Sequence, residues 1–178
     1  FRSQVRRRLP TAGPTDRFGS AAGYDAEIDR LLATEVLFDK GMLYFDVRLS
    51  HHLPTVEVRI ADVCLHRDDA LLIAALVRAL AETAVRAWRA GEPAPDVDTS
   101  VLRLATWRAS RSGLGGDLLD PLDGTPHPAA EVVAALIDHV GEALADLGDH
   151  TVVADLLTGL LERGTGADQQ RRWAAEDS

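Results

Sequence analysis

In the stretch DVRLSHHLPTVEVRIAD, residues 46–62, two carboxylates and two guanidinium groups stand at Asp46, Arg48, Glu57 and Arg59, in a setting that otherwise alternates with apolar side chains. A carboxylate such as that of Glu57 is a hard oxygen ligand suited to Mg²⁺, and guanidinium groups grip phosphate or carboxylate oxygens through paired hydrogen bonds. A wall of this kind suits phosphoryl transfer, where positioning and neutralisation of charge do most of the catalytic work. The same four residues also suit a solvated sheet face carrying two surface ion pairs, each contributing roughly 0–1 kcal/mol. Spacing alone leaves both readings open.

Other groups with chemical potential are weaker. Cys64 and His66, with His51 and His52 nearby, lack the Cys-x-x-Cys or paired-histidine spacing of zinc sites. A lone cysteine after a strand is read as a small buried apolar residue rather than a nucleophile. GLGGD, residues 113–117, follows a helical segment and lacks the Lys-Ser/Thr of a phosphate loop, so it is read as a helix stop. Trp88, Trp107 and Trp173 fall on helical segments, where core packing or a subunit contact is expected. His127 and His139 are read as a loop residue and a helix-surface residue.

The elements that must hold the charged residues follow from periodicity. Leu43, Phe45, Val47 and Leu49 alternate with Tyr44, Asp46, Arg48 and Ser50, which predicts a half-buried strand. TVEVRIAD repeats the alternation, and the short SHHLP connection predicts an antiparallel hairpin, which puts the four charges on one face. Before it, LPTAGPTDRFGS reads as loop, and Tyr24, Ile28, Leu31 and Leu32 share one face of a short helix. After it, Asp68 or Asp69 is expected to cap a long helix through ALLIAALVRALAETAVRAW, apolar around most of its circumference to Leu80 and so expected to be covered on several sides. GEPAPDVDTS is a linker ending in a capping Thr or Ser. A helix through VLRLATWRASR then stops at Gly113. DLLDPLDGTPHP reads as a tight turn or small hairpin with Asp-Gly at its tip, and Pro128 opens the next helix. TVVADLLTGLLERG gives another, and Gly164 and Gly166 break the chain before a polar tail.

The layout is α+β: residues 1–23 a loop region, 24–62 a helix plus hairpin, 66–178 mainly helical. Two strands alone make a marginal sheet, so the hairpin is expected to belong to a larger antiparallel sheet whose other members lie outside these residues. The chain opens on Phe1 and its one methionine is Met42, which also reads as a piece of a longer polypeptide.

Composition bounds the function classes. With 178 residues and 46% hydrophobic content the chain can bury a real core. Its formal charge of −9 and pI near 5.0 argue against general nucleic-acid or acidic-lipid binding, which needs excess cations. FRSQVRRRLP is a local exception, either a solvated basic run or an anion-facing patch. No stretch has the length of a membrane span, and the lone thiol fits a reducing compartment, so the expected location is the cytoplasm.

GMLYFDVRLSHHLPTVEVRIADVCLHRDDALLIAALVRAL, followed by LATWRASRSGLGGDLLDPLDG, resembles the carboxyl-terminal half of the carboxylate-amine ligases of the glutamate-cysteine ligase type 2 family. The order of motifs matches from PTAGPT to RGTGADQQR. The resemblance implies a glutamine-synthetase-like fold, a curved antiparallel sheet backed by helices with the active site on its concave face. It implies ATP-dependent amide-bond formation through an acyl phosphate, with Mg²⁺ or Mn²⁺ and small amino-acid substrates. Glu57 would then be a metal ligand and Arg59 would grip the transferred phosphate. Arg48 would contact phosphate or the substrate carboxylate, His52 would sit beside it as donor or metal neighbour, and Arg111 would be an anion contact. Asp46 and Asp62 would orient an arginine or a turn. The partners implied are the amino-terminal half of the same ligase and further copies in a homo-oligomer. A non-catalytic half-ligase, acting as a binding or assembly module, is the alternative.

Overall fold

The computed structural model describes residues 2–176. Helices α1 (Arg2–Arg6) and α2 (Ala21–Leu32) precede a 3-10 turn at Lys40–Met42 and two strands, β1 (Val47–Leu49) and β2 (Val56–Val58). Then come α3 (Arg67–Arg89), α4 (Thr99–Ser112), the strands β3 (Asp117–Leu119) and β4 (Pro126–Pro128), and helices α5 (Ala129–Asp146), α6 (His150–Arg163) and α7 (Gly166–Glu176). The class is α+β, with two separate antiparallel hairpins.

Two apolar clusters organise these elements. Leu72, Ala75 and Ala79 of α3 pack with Val140, Ala143 and Leu144 of α5 and Val153 of α6. The second cluster lies under residues 9–18: Tyr24 and Ile28 of α2 meet Leu37, Leu43 and Phe45, and the Phe18 ring stands edge-on to Tyr24 at 5.0 Å. Thr11 fastens that loop, its hydroxyl donating to the Met42 carbonyl at 2.8 Å and accepting the Tyr44 amide at 2.9 Å. Gly13, at φ +121°, forms a parallel bridge with Phe45, a conformation that disfavours a side chain.

Several expectations hold, and others need correction. The first hairpin pairs Arg48 with Glu57 as the alternation predicts, Gly113 ends α4 at φ +57°, and Pro128 precedes α5 directly. The second hairpin turns through Gly124 at φ +72°. The basic run, however, includes helix α1, and the polar tail contains α7. Helix α3 begins at Arg67, so Asp68 and Asp69 occupy its first turn, complementing the dipole rather than serving as N-cap. Nor is α3 covered on several sides: Leu71, Ile73 and Leu80 remain exposed. Trp88, Trp107 and Trp173 are exposed too, so core packing is excluded for them. The strands are three residues each, and the apolar side of the pair inverts the expected burial: Leu43 and Phe45 are buried, whereas Val47, Val56, Val58 and Ile60 face outward.

Candidate functional site

The β1–β2 register builds the charged face. Arg48 lies opposite Glu57, and the Arg59 amide donates to the Asp46 carbonyl at 2.8 Å, which sets Asp46 across from Arg59. Cross-strand partners share a face, so Tyr44, Asp46, Arg48, Glu57 and Arg59 belong to one surface.

Only one of the two possible ion pairs forms. Arg48 Nε donates to Glu57 Oε2 at 2.8 Å, while Arg48 Nη1 donates to the carbonyls of Leu43 at 3.1 Å and Lys40 at 3.5 Å. Arg48 therefore ties Glu57 to the segment before β1 and fixes one carboxylate oxygen. Asp46 turns instead to Arg7, 3.7 Å away, so the arginine it orients comes from the basic run. Burial pushes the Asp46 carboxyl up, opposed by the charges of Arg7 and Arg6. Arg59 has no carboxylate partner among the described residues; its guanidinium lies 5.9 Å from the centre of the Tyr44 ring, a cation–π contact that holds its stem in place. Tyr44 stands in the alternation with Asp46 and Arg48, the signal by which this support was readable.

The basic run reaches the hairpin at Asp46 and at Arg59. Arg6 Nη1 donates to the Arg59 carbonyl, while Arg6 Nη2 is buried without a partner. Arg6, Arg7, Asp46, Asp62 and Thr106 help to line a cavity of about 220 Å³. This excludes a merely solvated role for Arg6 and Arg7.

His52 and Arg111 stay apart from this surface. His52 is exposed in the turn, edge-on to His51 at 6.5 Å, and its ring makes no hydrogen bond among the described residues. Arg111 is exposed on the last turn of α4, its guanidinium 5.5 Å from the centre of the Trp107 ring, with no bond to the hairpin.

For a divalent cation, the fit is partial. Glu57 is half-buried and its Oε1 takes no partner, so it can offer one hard oxygen, but no group of three or more His, Cys, Asp or Glu capable of holding a metal occurs among the described residues. His66 is engaged with Gln169 at 2.8 Å, and burial together with Asp69 and Asp62 pushes the Cys64 thiol up, against reactivity. Among the described residues no helix is long and apolar enough to cross a membrane.

A family model described as glutamate-cysteine ligase family 2 matches residues 1–176. A protein named putative glutamate–cysteine ligase 2-1 from Streptomyces avermitilis is 53% identical over 96% of this chain and 47% of its own length. One named putative glutamate–cysteine ligase 2-2 from Frankia alni is 53% identical over 96% of this chain and 45% of its own length. A further one from Streptomyces coelicolor is 50% identical over 98% of this chain and 48% of its own. The chain spans about half the length of these curated relatives.

Proposed function

Because the chain belongs to glutamate-cysteine ligase family 2, we propose that it supplies one wall of an ATP-dependent carboxylate-amine ligase site of glutamine-synthetase-like architecture, completed by a further half of the domain. The observation that carries this reading is the presence on one strand face of a half-buried carboxylate, Glu57, fixed by Arg48, and of a guanidinium, Arg59, that no carboxylate among the described residues neutralises. A face of two surface ion pairs would have neutralised Arg59 as Arg48 neutralises Glu57.

In the reaction, a carboxylate oxygen of the substrate, glutamate by family, attacks the γ-phosphorus of ATP. The β,γ-bridging P–O bond breaks and ADP departs. The amine nitrogen, cysteine's by family, then attacks the acyl carbon, the C–O bond to phosphate breaks, and the nitrogen loses a proton. Arg59 stabilises the equatorial oxygens during phosphoryl transfer, and its planar fork provides directed donors at negligible reorganisation cost. Arg48 positions Glu57, and Glu57 would offer Oε1 as one ligand to Mg²⁺ or Mn²⁺. Such an ion neutralises charge on the phosphates. The remaining ligands would have to come from elsewhere, since no cluster of three or more candidate ligands occurs among the described residues. His52 and Arg111 join this wall only through a rearrangement or through contacts with the completing half.

A second reading is favoured by the same incomplete ligand set: a non-catalytic half-ligase that lends its sheet and helices to a partner. Phosphate release from Mg-ATP by the complete polypeptide, screened over amino-acid carboxylates and amines, separates the two. The ligase reading expects release that needs both substrates and falls by about 10²-fold or more in Glu57→Gln and in Arg59→Lys, because an amide is a poor cation ligand and an ammonium lacks the fork. Undiminished turnover in both variants would remove the wall from the chemistry.

A further inference from the structure

We propose that the cavity at the junction of the basic run and the first hairpin grips a free acidic amino acid by its α-ammonium and α-carboxylate groups. The inference deepens the ligase reading above by giving its carboxylate substrate a place, and it rests on that reading for the substrate's role alone.

The polar groups around this cavity of about 220 Å³ are incompletely matched within the chain. Arg6 spends Nη1 on the Arg59 carbonyl, and its Nη2 is buried with no acceptor. Arg7 Nη2 and Asp46 Oδ2 stand 3.7 Å apart, close enough to attract and too far to share a hydrogen bond, although their side chains are only 20% and 16% exposed. Neither the Arg7 guanidinium nor the Asp46 carboxylate makes a hydrogen bond among the described residues. Largely buried polar groups without partners are destabilising, and three of them around one cavity mark a place where a ligand supplies the missing donors and acceptors.

The signs of these groups select the ligand. Two guanidinium groups suit a carboxylate, which accepts their paired N–H donors. Asp46, with Asp62 also lining the cavity, repels an occupant that is only negative and attracts an ammonium. An α-amino acid carries both charges on one carbon and so answers both halves of the lining. The cavity is smaller than the roughly 300–1,000 Å³ of pockets for drug-sized ligands, which limits the occupant to this scale.

The acidic side chain follows from what is held. With both α groups gripped, neither is the reacting group, so a ligase that activates a carboxylate takes it from the side chain. Asp46 lies across from Arg59, and Arg6 ties the cavity to the backbone of that same residue. The grip and the guanidinium assigned to phosphoryl transfer are therefore neighbours on one strand pair.

The test is equilibrium binding to the complete polypeptide by calorimetry, without nucleotide, using L-glutamate, glutarate and 4-aminobutanoate. Glutarate lacks the α-ammonium and 4-aminobutanoate lacks the α-carboxylate, while all three keep the side-chain carboxylate. L-glutamate should bind about tenfold or more tightly than either, since each analogue leaves part of the cavity unmatched. Asp46→Asn keeps the shape of the side chain and should weaken L-glutamate by about tenfold or more without weakening glutarate. Arg6→Met should weaken L-glutamate and glutarate alike and spare 4-aminobutanoate; if that variant does not fold, Asp46→Asn decides. Glutarate binding as tightly as L-glutamate overturns the inference and assigns a plain anion site. Unchanged L-glutamate affinity in Asp46→Asn, or no L-glutamate binding by the folded parent, overturns it as well. Phosphate release from Mg-ATP by the parent reports separately on the ligase reading: selective binding without release retires the reaction and leaves the grip, whereas release without selectivity for the α groups retires the grip alone.

Discussion

Arg48 illustrates how a structural contact and a catalytic one compete for the same side chain. Its Nε and Nη1 are committed to Glu57 and to the Leu43 carbonyl, so its first role is to hold the carboxylate at a fixed place and angle. Replacing it by Met keeps most of the stem but removes charge-assisted bonds, and urea unfolding should report a loss of about 1–3 kcal/mol. An unchanged midpoint together with a raised KM for ATP would instead make Arg48 a direct phosphate contact. The Glu57–Arg48 pair was readable because alternation of period two fixes which residues share a face. The Asp46–Arg7 contact was not, because its partner lies 39 positions away and no local pattern links a loop to a strand edge. His52 and Arg111 entered by resemblance alone, and nothing local in their spacing ties them to the hairpin.

Among the elements, α7 shows what local reading can miss. Gly164 and Gly166 suggested a break, yet Thr165 and Asp168 form a reciprocal N-terminal cap between them and the helix. The Thr165 amide donates to Asp168 Oδ2 at 3.0 Å, its hydroxyl to the same oxygen at 2.6 Å, and the Asp168 amide returns to the Thr165 hydroxyl at 3.3 Å. The three-residue spacing carried that signal, with Asp in place of the commoner Glu. The Thr165 hydroxyl, followed by Arg171 and the Thr165 amide, holds the Asp168 carboxyl below its ordinary 3.8. The sign follows directly: the cap is fully stabilising above the unfolded carboxylate's titration and is lost as pH falls through the lowered folded value. Asp168→Ala should cost about 1 kcal/mol near neutral pH, measured by thermal unfolding, and should flatten the stability loss in acid. A variant as stable as the parent and equally acid-sensitive would remove the cap from that account. Helix α3 departs from its pattern for the converse reason: an apolar circumference announces burial, but only its α5 and α6 side is covered within these residues.

At the scale of the molecule, an α+β chain with two short hairpins and five helices after the first of them holds together through two clusters, one beneath α2 and one among α3, α5 and α6. The class and the order of elements were legible because hydrophobic period and turn chemistry are local. The hairpin was legible in the same way, whereas the shortness of its strands, three residues each, was not, because alternation runs on past the residues that pair. The proposed ligase chemistry rests on the charged face of the first hairpin, where Arg48 holds Glu57 beside Arg59. Hydroxylamine intercepts an acyl phosphate as a hydroxamate, so it reads the intermediate without requiring the amine substrate to be known. The complete polypeptide, given glutamate, Mg-ATP and hydroxylamine, should yield the hydroxamate with matching ADP, and Glu57→Gln should reduce the yield by about 10²-fold or more. Parental yield from Glu57→Gln, or no hydroxamate from the folded parent with any amino-acid carboxylate, would contradict the assignment of this strand face to phosphoryl transfer.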